Sequence, residues 1–222
     1  MDSSPPTDSS PATNSTASKH LLPVMIAPGF HESALTDGIV RSLPSFVSNK
    51  IVDAFAASPP AMYDWLTANV PKPKAGEPPI PFVAIGFSAG VVGLAGALAL
   101  WQQQRWIEKQ QKPSQKHPQK AEAARFIAVD GWGVPVVGLP VTRMSHDHFT
   151  HLSSLPLGAG DVNFFASPAV AHLDMWREPD RVRGREVQGW TLDDSAGVPM
   201  TSAEFLRRVL HAEWNKAFSW RN

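Results

Sequence analysis

The 222-residue chain contains no cysteine, which excludes disulfides, thiolate metal centres and cysteine nucleophiles and leaves packing alone to hold the fold. Net charge is missing too. Twenty Lys+Arg offset twenty Asp+Glu, so no overall field draws the protein to nucleic acid or an anionic membrane. Charged residues make up only 18% of the chain. The opening MDSSPPTDSSPATNSTASKH has no basic segment followed by an apolar stretch and does not read as a secretory signal. Together with the absence of cysteine, this points to a cytoplasmic protein. Ser, Thr and Pro dominate the same segment and nothing in it repays ordering entropy, so residues 1–20 are expected to form a disordered tail. Residues 21–222 then form a single domain, long enough to bury roughly 70% of its unfolded surface.

The longest uncharged run, residues 79–101, is long enough to cross a bilayer and carries Gly86 and Gly90 at the four-residue spacing of membrane helix pairs. Its texture argues otherwise. It begins in proline, is β-branched and aromatic only at first, turns at Gly-Phe-Ser-Ala-Gly and becomes Ala/Leu-rich. A buried strand, a tight turn and a buried helix suit that order better than one membrane helix.

Short apolar runs recur along the chain. Residues 21–30 (LLPVMIAPGF), 81–87 (PFVAIGF) and 125–135 (RFIAVDGWGVP) read as strands buried on both faces, with weaker strands near 46–55 and 136–144. Helical stretches fall at about 33–43, after Pro59-Pro60, and over 89–111. A last helix runs from a capping box at Thr201 and Glu204 to about 218. Residues 108–123 form a polar, Gln- and Lys-rich connector expected to be mobile; it lacks the aromatic interleaving of a nucleic-acid site. This alternation gives an α/β fold, a mostly parallel central sheet flanked by helices. Ligands in such sheets gather at the carboxyl ends of strands, here the segments around Phe30-His31, Ser88-Ala89 and Asp130-Gly131-Trp132.

Gly86-Phe87-Ser88-Ala89-Gly90 is a G-x-S-x-G between an expected strand and an expected helix, which is the context the motif requires. The serine must sit on a sharp turn, so Gly86 and Gly90 allow close approach of strand and helix. The helix N-terminus behind it favours developing negative charge. The ordinary alternative is a small residue in a glycine-rich turn.

At this point the chain resembles the α/β-hydrolase superfamily of serine esterases, lipases and thioesterases. The resemblance rests on APGFHE, GFSAG and an acid closing the next strand, and spans about 21–151. GFSAGVVG, DGWGVP and RMSHDHFTH resemble, more narrowly, a small uncharacterised cyanobacterial hydrolase-like family with which no substrate is associated. The superfamily resemblance implies a nucleophile, an acid and a histidine in that chain order, with an oxyanion hole of two backbone amides. Ser88 would be the nucleophile and Asp130 the acid. The base would be His146, with His151 the alternative. The amides of Ala89 and of Phe30 (or its neighbour His31) would form the hole. Asp161 and Asp174 are weaker acids, and His172, in AVAHLDMW, reads as a packed core histidine.

His148 and His151 stand three apart, and His146 with Asp147 could join them around a metal. No H-E-x-x-H pattern supports that arrangement, so neither metal nor cofactor is expected. Trp132, Trp176 and Trp190 could line an apolar pocket, with core packing the ordinary role. The expected activity is hydrolysis of a small-molecule acyl ester or thioester through a Ser-His-Asp triad, without nucleic acid or membrane. The alternative is a non-catalytic ligand- or partner-binding protein on the same scaffold.

Overall fold

In the computed structural model, residues 20–73, 77–110, 121–131 and 133–219 are described. Their centre is β1 (Leu22–Ala27), every residue of which is buried because apolar side chains leave both faces of the strand. Leu22, Val24 and Ile26 enter one core, while Met25 and Ala27 enter another on the opposite face. The same division holds in β3 (Phe82–Phe87): Val83, Ile85 and Phe87 point one way, Phe82 and Ala84 the other. A strand that feeds two cores must lie inside a sheet covered on both sides.

The sheet has eight strands in the order β2-β1-β3-β4-β5-β6-β7-β8. β2 (Val47–Ile51), β1, β3, β4 (Ala123–Val129), β5 (Val141–Ser145) and β6 (Val162–Ala166) pair in parallel. β7 (Arg183–Gln188) and β8 (Val198–Thr201) add an antiparallel edge. α1 (Ser33–Ser42), α5 (Asp174–Arg177) and α6 (Ser202–Phe218) contribute Ile39, Trp176 and the Phe205, Leu206, Val209, Leu210 stripe to one core. α2 (Pro59–Asn69) and α3 (Ala89–Gln110) supply Met62, Leu66, Leu94, Leu98 and Trp101 to the other. α4 (His148–Ser154) follows β5. The class is α/β, a mostly parallel sheet flanked by helices, as the sequence led one to expect; the described residues hold six α-helices.

Several expected boundaries move. The second strand occupies only the first part of 46–55, and the fifth starts at Val141 because 136–140 is irregular and ends in proline. The uncharged run of 79–101 is β3, a one-residue turn and the start of α3. No described helix is long and apolar enough to cross a membrane. The helix at the C-terminus has its full capping box, with the Thr201 hydroxyl accepting from the Glu204 amide at 3.1 Å and the Glu204 carboxylate accepting from the Thr201 amide at 2.7 Å. Of the expected tail, residues 1–19 lie outside the described residues. His20 is in place, its carbonyl accepting from Trp214 Nε1 at 2.8 Å. Most of the expected connector, 111–120, also lies outside them.

Two buried arginines brace the sheet. Arg125 on β4 donates to Glu213 of α6 at 2.7 Å, to Thr142 on β5 and to Asp161. Among the described residues the Arg143 guanidinium on β5 donates to the carbonyls of Val134, Leu157 and Gly158 and has no carboxylate partner, and burial pushes its pKa down to about 10. β5 is thereby held along its length, and its last residue, Ser145, leads directly into His146.

Candidate active site

The chain leaves β1 for the outer strand β2 and returns to β3 on the other side of β1, so β1 and β3 flank the point where strand order reverses. Loops at such a point diverge and leave a crevice at the carboxyl ends of the strands. Gly29 follows β1 and Ser88 follows β3. A Cβ at Gly29 would stand 3.1 Å from the Ser88 Cβ and 3.5 Å from the Ala89 nitrogen, so the two loops touch.

Ser88 has φ +52°, in the left-handed region that non-glycine residues occupy at a cost. Its amide donates to the Val129 carbonyl at 3.0 Å, and its carbonyl accepts from the Val91 amide at 3.0 Å, which fixes the turn between strand and helix. Gly86 and Gly90 show why the neighbours are small. A Cβ at Gly86 would press on Val91 Cα at 3.0 Å, and one at Gly90 would strike the Ala27 and Pro28 carbonyls. The result is a half-buried serine at the carboxyl end of β3 and at the N-terminus of a 22-residue helix.

Asp130 ends β4 next door, also at positive φ (+50°), with its side chain only 2% exposed. Gly131 behind it packs so closely on Val91 of α3 that a Cβ there would collide with the valine side chain. The carboxylate is gripped from two sides. Oδ1 accepts from the His146 main-chain amide at 2.8 Å, and Oδ2 is 2.9 Å from His172 Nδ1.

The structure brings the expected residue His146 to Asp130, and it brings a second histidine that sequence reasoning passed over. His146 Nδ1 lies 3.1 Å from Asp130 Oδ1, off the line of a directed hydrogen bond, and Nε2 lies 3.4 Å from Asp147 Oδ2. This close contact with Asp130 raises the pKa of His146 above the ordinary histidine value, against the opposing effect of burial. His172 is not the packed core histidine its sequence context suggested. It sits in a turn before α5, its side chain 40% exposed, because the helical texture of AVAHLDMW becomes helix only from Asp174. The Val170 amide donates to the His146 carbonyl at 3.0 Å, which ties the His172 loop to the end of β5. The His172 ring stacks on Phe87 with centroids 4.7 Å apart, and Phe87 stacks in turn on Trp176 at 4.9 Å. Among the described residues, His172 Nε2 has no hydrogen-bond partner. One signal pointed here: VNFFA, an apolar run ahead of His172, is β6, and a histidine beyond a strand's carboxyl end is well placed for chemistry.

The other expected residues fall elsewhere. His151 is fully buried in α4; its Nε2 is 3.2 Å from the Thr191 carbonyl, its ring stacks on Phe165, and burial holds its pKa below the ordinary value. His148 packs on His151 and Phe165, apart from the Asp130 group. Asp161 pairs with Arg125 and Asp174 lies beside Arg177. Trp176 is core and Trp190 is 62% exposed, while Trp132 lies outside the described residues. The His31 amide donates back to the Gly29 carbonyl at 3.1 Å and is thus already engaged within its own loop. The Phe30 ring is exposed and pairs with Phe55 at 5.3 Å, an apolar lip beside the crevice.

Chemically, a strained serine, a carboxylate and an imidazole with one nitrogen on that carboxylate are the parts of a nucleophile–base–orienter set. Asp130, His146 and His172 also offer one ligand atom each, all within 4.8 Å of one another. Among known proteins, no family model matches the chain, and no curated protein is significantly similar to it.

Proposed function

We propose that the protein is a serine hydrolase that cleaves an acyl ester or thioester through Ser88, Asp130 and His172, on a scaffold of the α/β-hydrolase type. The observation that carries this reading is the Asp130–His172 pair, seated on the ring of Phe87 one residue before a serine held at positive φ. The chain order serine, acid, histidine agrees with it.

In this reading His172 Nε2 takes the proton from Ser88 as Oγ attacks the acyl carbonyl. Asp130 Oδ2 accepts a hydrogen bond from Nδ1–H, fixes the tautomer and stabilises the imidazolium. The amides of Ala89 and Phe30 hold the oxyanion, each contributing roughly 3 kcal/mol to the transition state. The imidazolium then gives that proton to the departing alcohol or thiol; water, deprotonated by the same imidazole, attacks the acyl-enzyme, releases the acid and restores the Ser88 hydroxyl. His172 is favoured over His146 as the base because both ring nitrogens of His146 already face carboxylates, those of Asp130 and Asp147. The exposed Phe30–Phe55 pair suits an apolar acyl group.

Labelling of the purified chain with a fluorophosphonate, read by intact mass, tests the proposal. A single adduct is expected on the wild type and none on Ser88→Ala. His172→Gln should slow labelling by several orders of magnitude, with a much smaller effect from His146→Gln. The reverse ranking would transfer the base to His146. No adduct on folded protein would sink the hydrolase reading and leave a binding protein on this scaffold.

A further inference from the structure

A triad needs one histidine at its acid, and Asp130 has two. His172 Nδ1 stands 2.9 Å from one carboxylate oxygen, and His146 Nδ1 stands 3.1 Å from the other. The two rings meet edge-on at 5.9 Å, with planes 82° apart, so neither is stacked out of the way of the other. His146 Nδ1 is the informative atom. It is buried from water and faces Asp130 Oδ1 at 3.1 Å off the line of a directed hydrogen bond, so its bonding capacity is only partly met. Two imidazole nitrogens and a carboxylate oxygen converge on one point, with all ligand atoms within 4.8 Å of each other. In a tetrahedral zinc site with bonds of about 2.0–2.2 Å, ligand atoms stand roughly 3.3–3.5 Å apart. Closure onto an ion needs the two rings to rotate, and both are partly exposed, His146 by 26% and His172 by 40%.

We infer that Asp130, His146 and His172 form a binding site for a divalent transition-metal ion, Zn2+ above all, and that its occupation switches off the serine. Nitrogen ligands select this class over Mg2+ or Ca2+, which take oxygen. The metal site itself does not depend on the hydrolase reading; the inhibition rests on it. To bind a metal, Nδ1 of His172 must present its lone pair, so the ring's proton moves to Nε2. Catalysis needs the opposite tautomer, with the proton on Nδ1 and the lone pair on Nε2 towards Ser88. The ion also takes the Asp130 oxygens that orient the base. Metal binding and proton transfer from Ser88 therefore exclude each other, and the event costs no covalent change.

The test uses untagged full-length chain, stripped with EDTA and exchanged into chelator-free buffer. Co2+ serves as spectroscopic probe and Zn2+ is titrated in competition with a chromophoric chelator. One equivalent is expected to bind the wild type and Ser88→Ala alike. His146→Gln and His172→Gln should each weaken Zn2+ by roughly tenfold or more, since even outer-shell partners are worth that much. Zn2+ should suppress fluorophosphonate labelling of the wild type, and EDTA should restore it. Absence of binding, or binding unchanged in both histidine variants while the proteins remain folded by circular dichroism, overturns the site. Binding without loss of labelling overturns the switch. A wild type that binds Zn2+ with the expected variant pattern but never labels, even metal-free, keeps the site and removes the hydrolase reading instead.

Discussion

Asp130→Asn is the most discriminating single change, because the surroundings dictate how the new amide must sit. Oδ1 of Asp130 is 2.8 Å from the main-chain amide of His146, a donor that cannot turn away. An asparagine carboxamide has one acceptor and one donor end. Turning its NH2 towards that amide would set two donors face to face at a position whose side chain is 2% exposed, at a cost of about 1–3 kcal/mol for the unmet group. The carbonyl must therefore face His146, and the NH2 faces His172 Nδ1, now 2.9 Å away as an acceptor. His172 is thereby locked with its proton on Nε2 and its lone pair on the wrong side of the ring. In a serine hydrolase a wrong tautomer costs on the order of 10⁴ in rate, or ~5.4 kcal/mol of transition-state stabilisation at 1.36 kcal/mol per tenfold. Volume is unchanged, so the melting transition should stay within about 1–2 kcal/mol of wild type. The assay is the pseudo-first-order rate of fluorophosphonate adduct formation, with hydrolysis of a short activated ester as a second readout. Labelling of folded Asp130→Asn within about tenfold of wild type would refute the orienting role of Asp130.

Two further perturbations probe the scaffold. Glu213→Ala strands the buried Arg125, whose other carboxylate partner Asp161 is largely exposed; the loss expected from urea titration is about 3 kcal/mol, whereas Arg125→Met with Glu213→Leu should recover most of it. A double variant no more stable than Glu213→Ala would argue against a penalty from unpaired charge. His151 is buried with its pKa depressed, chiefly by desolvation, so its neutral form contributes stability that is present above the unfolded value of ~6.5 and lost as pH falls below it. His151→Leu should accordingly lose less stability than wild type between pH 8 and pH 5.5, and an equal loss in both would dismiss His151 as a source of acid sensitivity.

How far the sequence could be read depended on whether one local pattern carried the information. β1, β3 and β4 are apolar on both faces, so their composition alone marks them as interior strands. The turn at Ser88 follows from glycines that no other local structure explains. The far edge of the sheet leaves no such mark. RGREVQ alternates buried and exposed residues but carries two arginines and a glycine, and VPMT is four residues long with a proline, so β7 and β8 exist by tertiary pairing rather than propensity. The same gap hid His172. With β6 unread, its loop had no strand end before it, and three closely spaced histidines after β5 drew attention instead. Of those three, only His146 reaches Asp130; helix α4 turns His148 and His151 towards Phe165.

The parallel order of the sheet has a consequence for the newly made chain. Ser88 leaves β3, near the middle of the sheet, but His172 follows β6, which pairs on its inner side with β5 and so waits for the parallel strands before it. During synthesis, where N-terminal segments emerge first, the strained serine turn can form against β1 and β4 while the imidazole has yet to leave the ribosome. On the proposed reading, the nascent protein then carries the serine without its base, and the last parallel strand supplies it. The hairpin of β7 and β8 follows at once and closes the edge that β6 would otherwise present to other chains. The Asp130–His172 pairing and protection of the sheet margin are therefore acquired together, once β6 and the hairpin after it have formed.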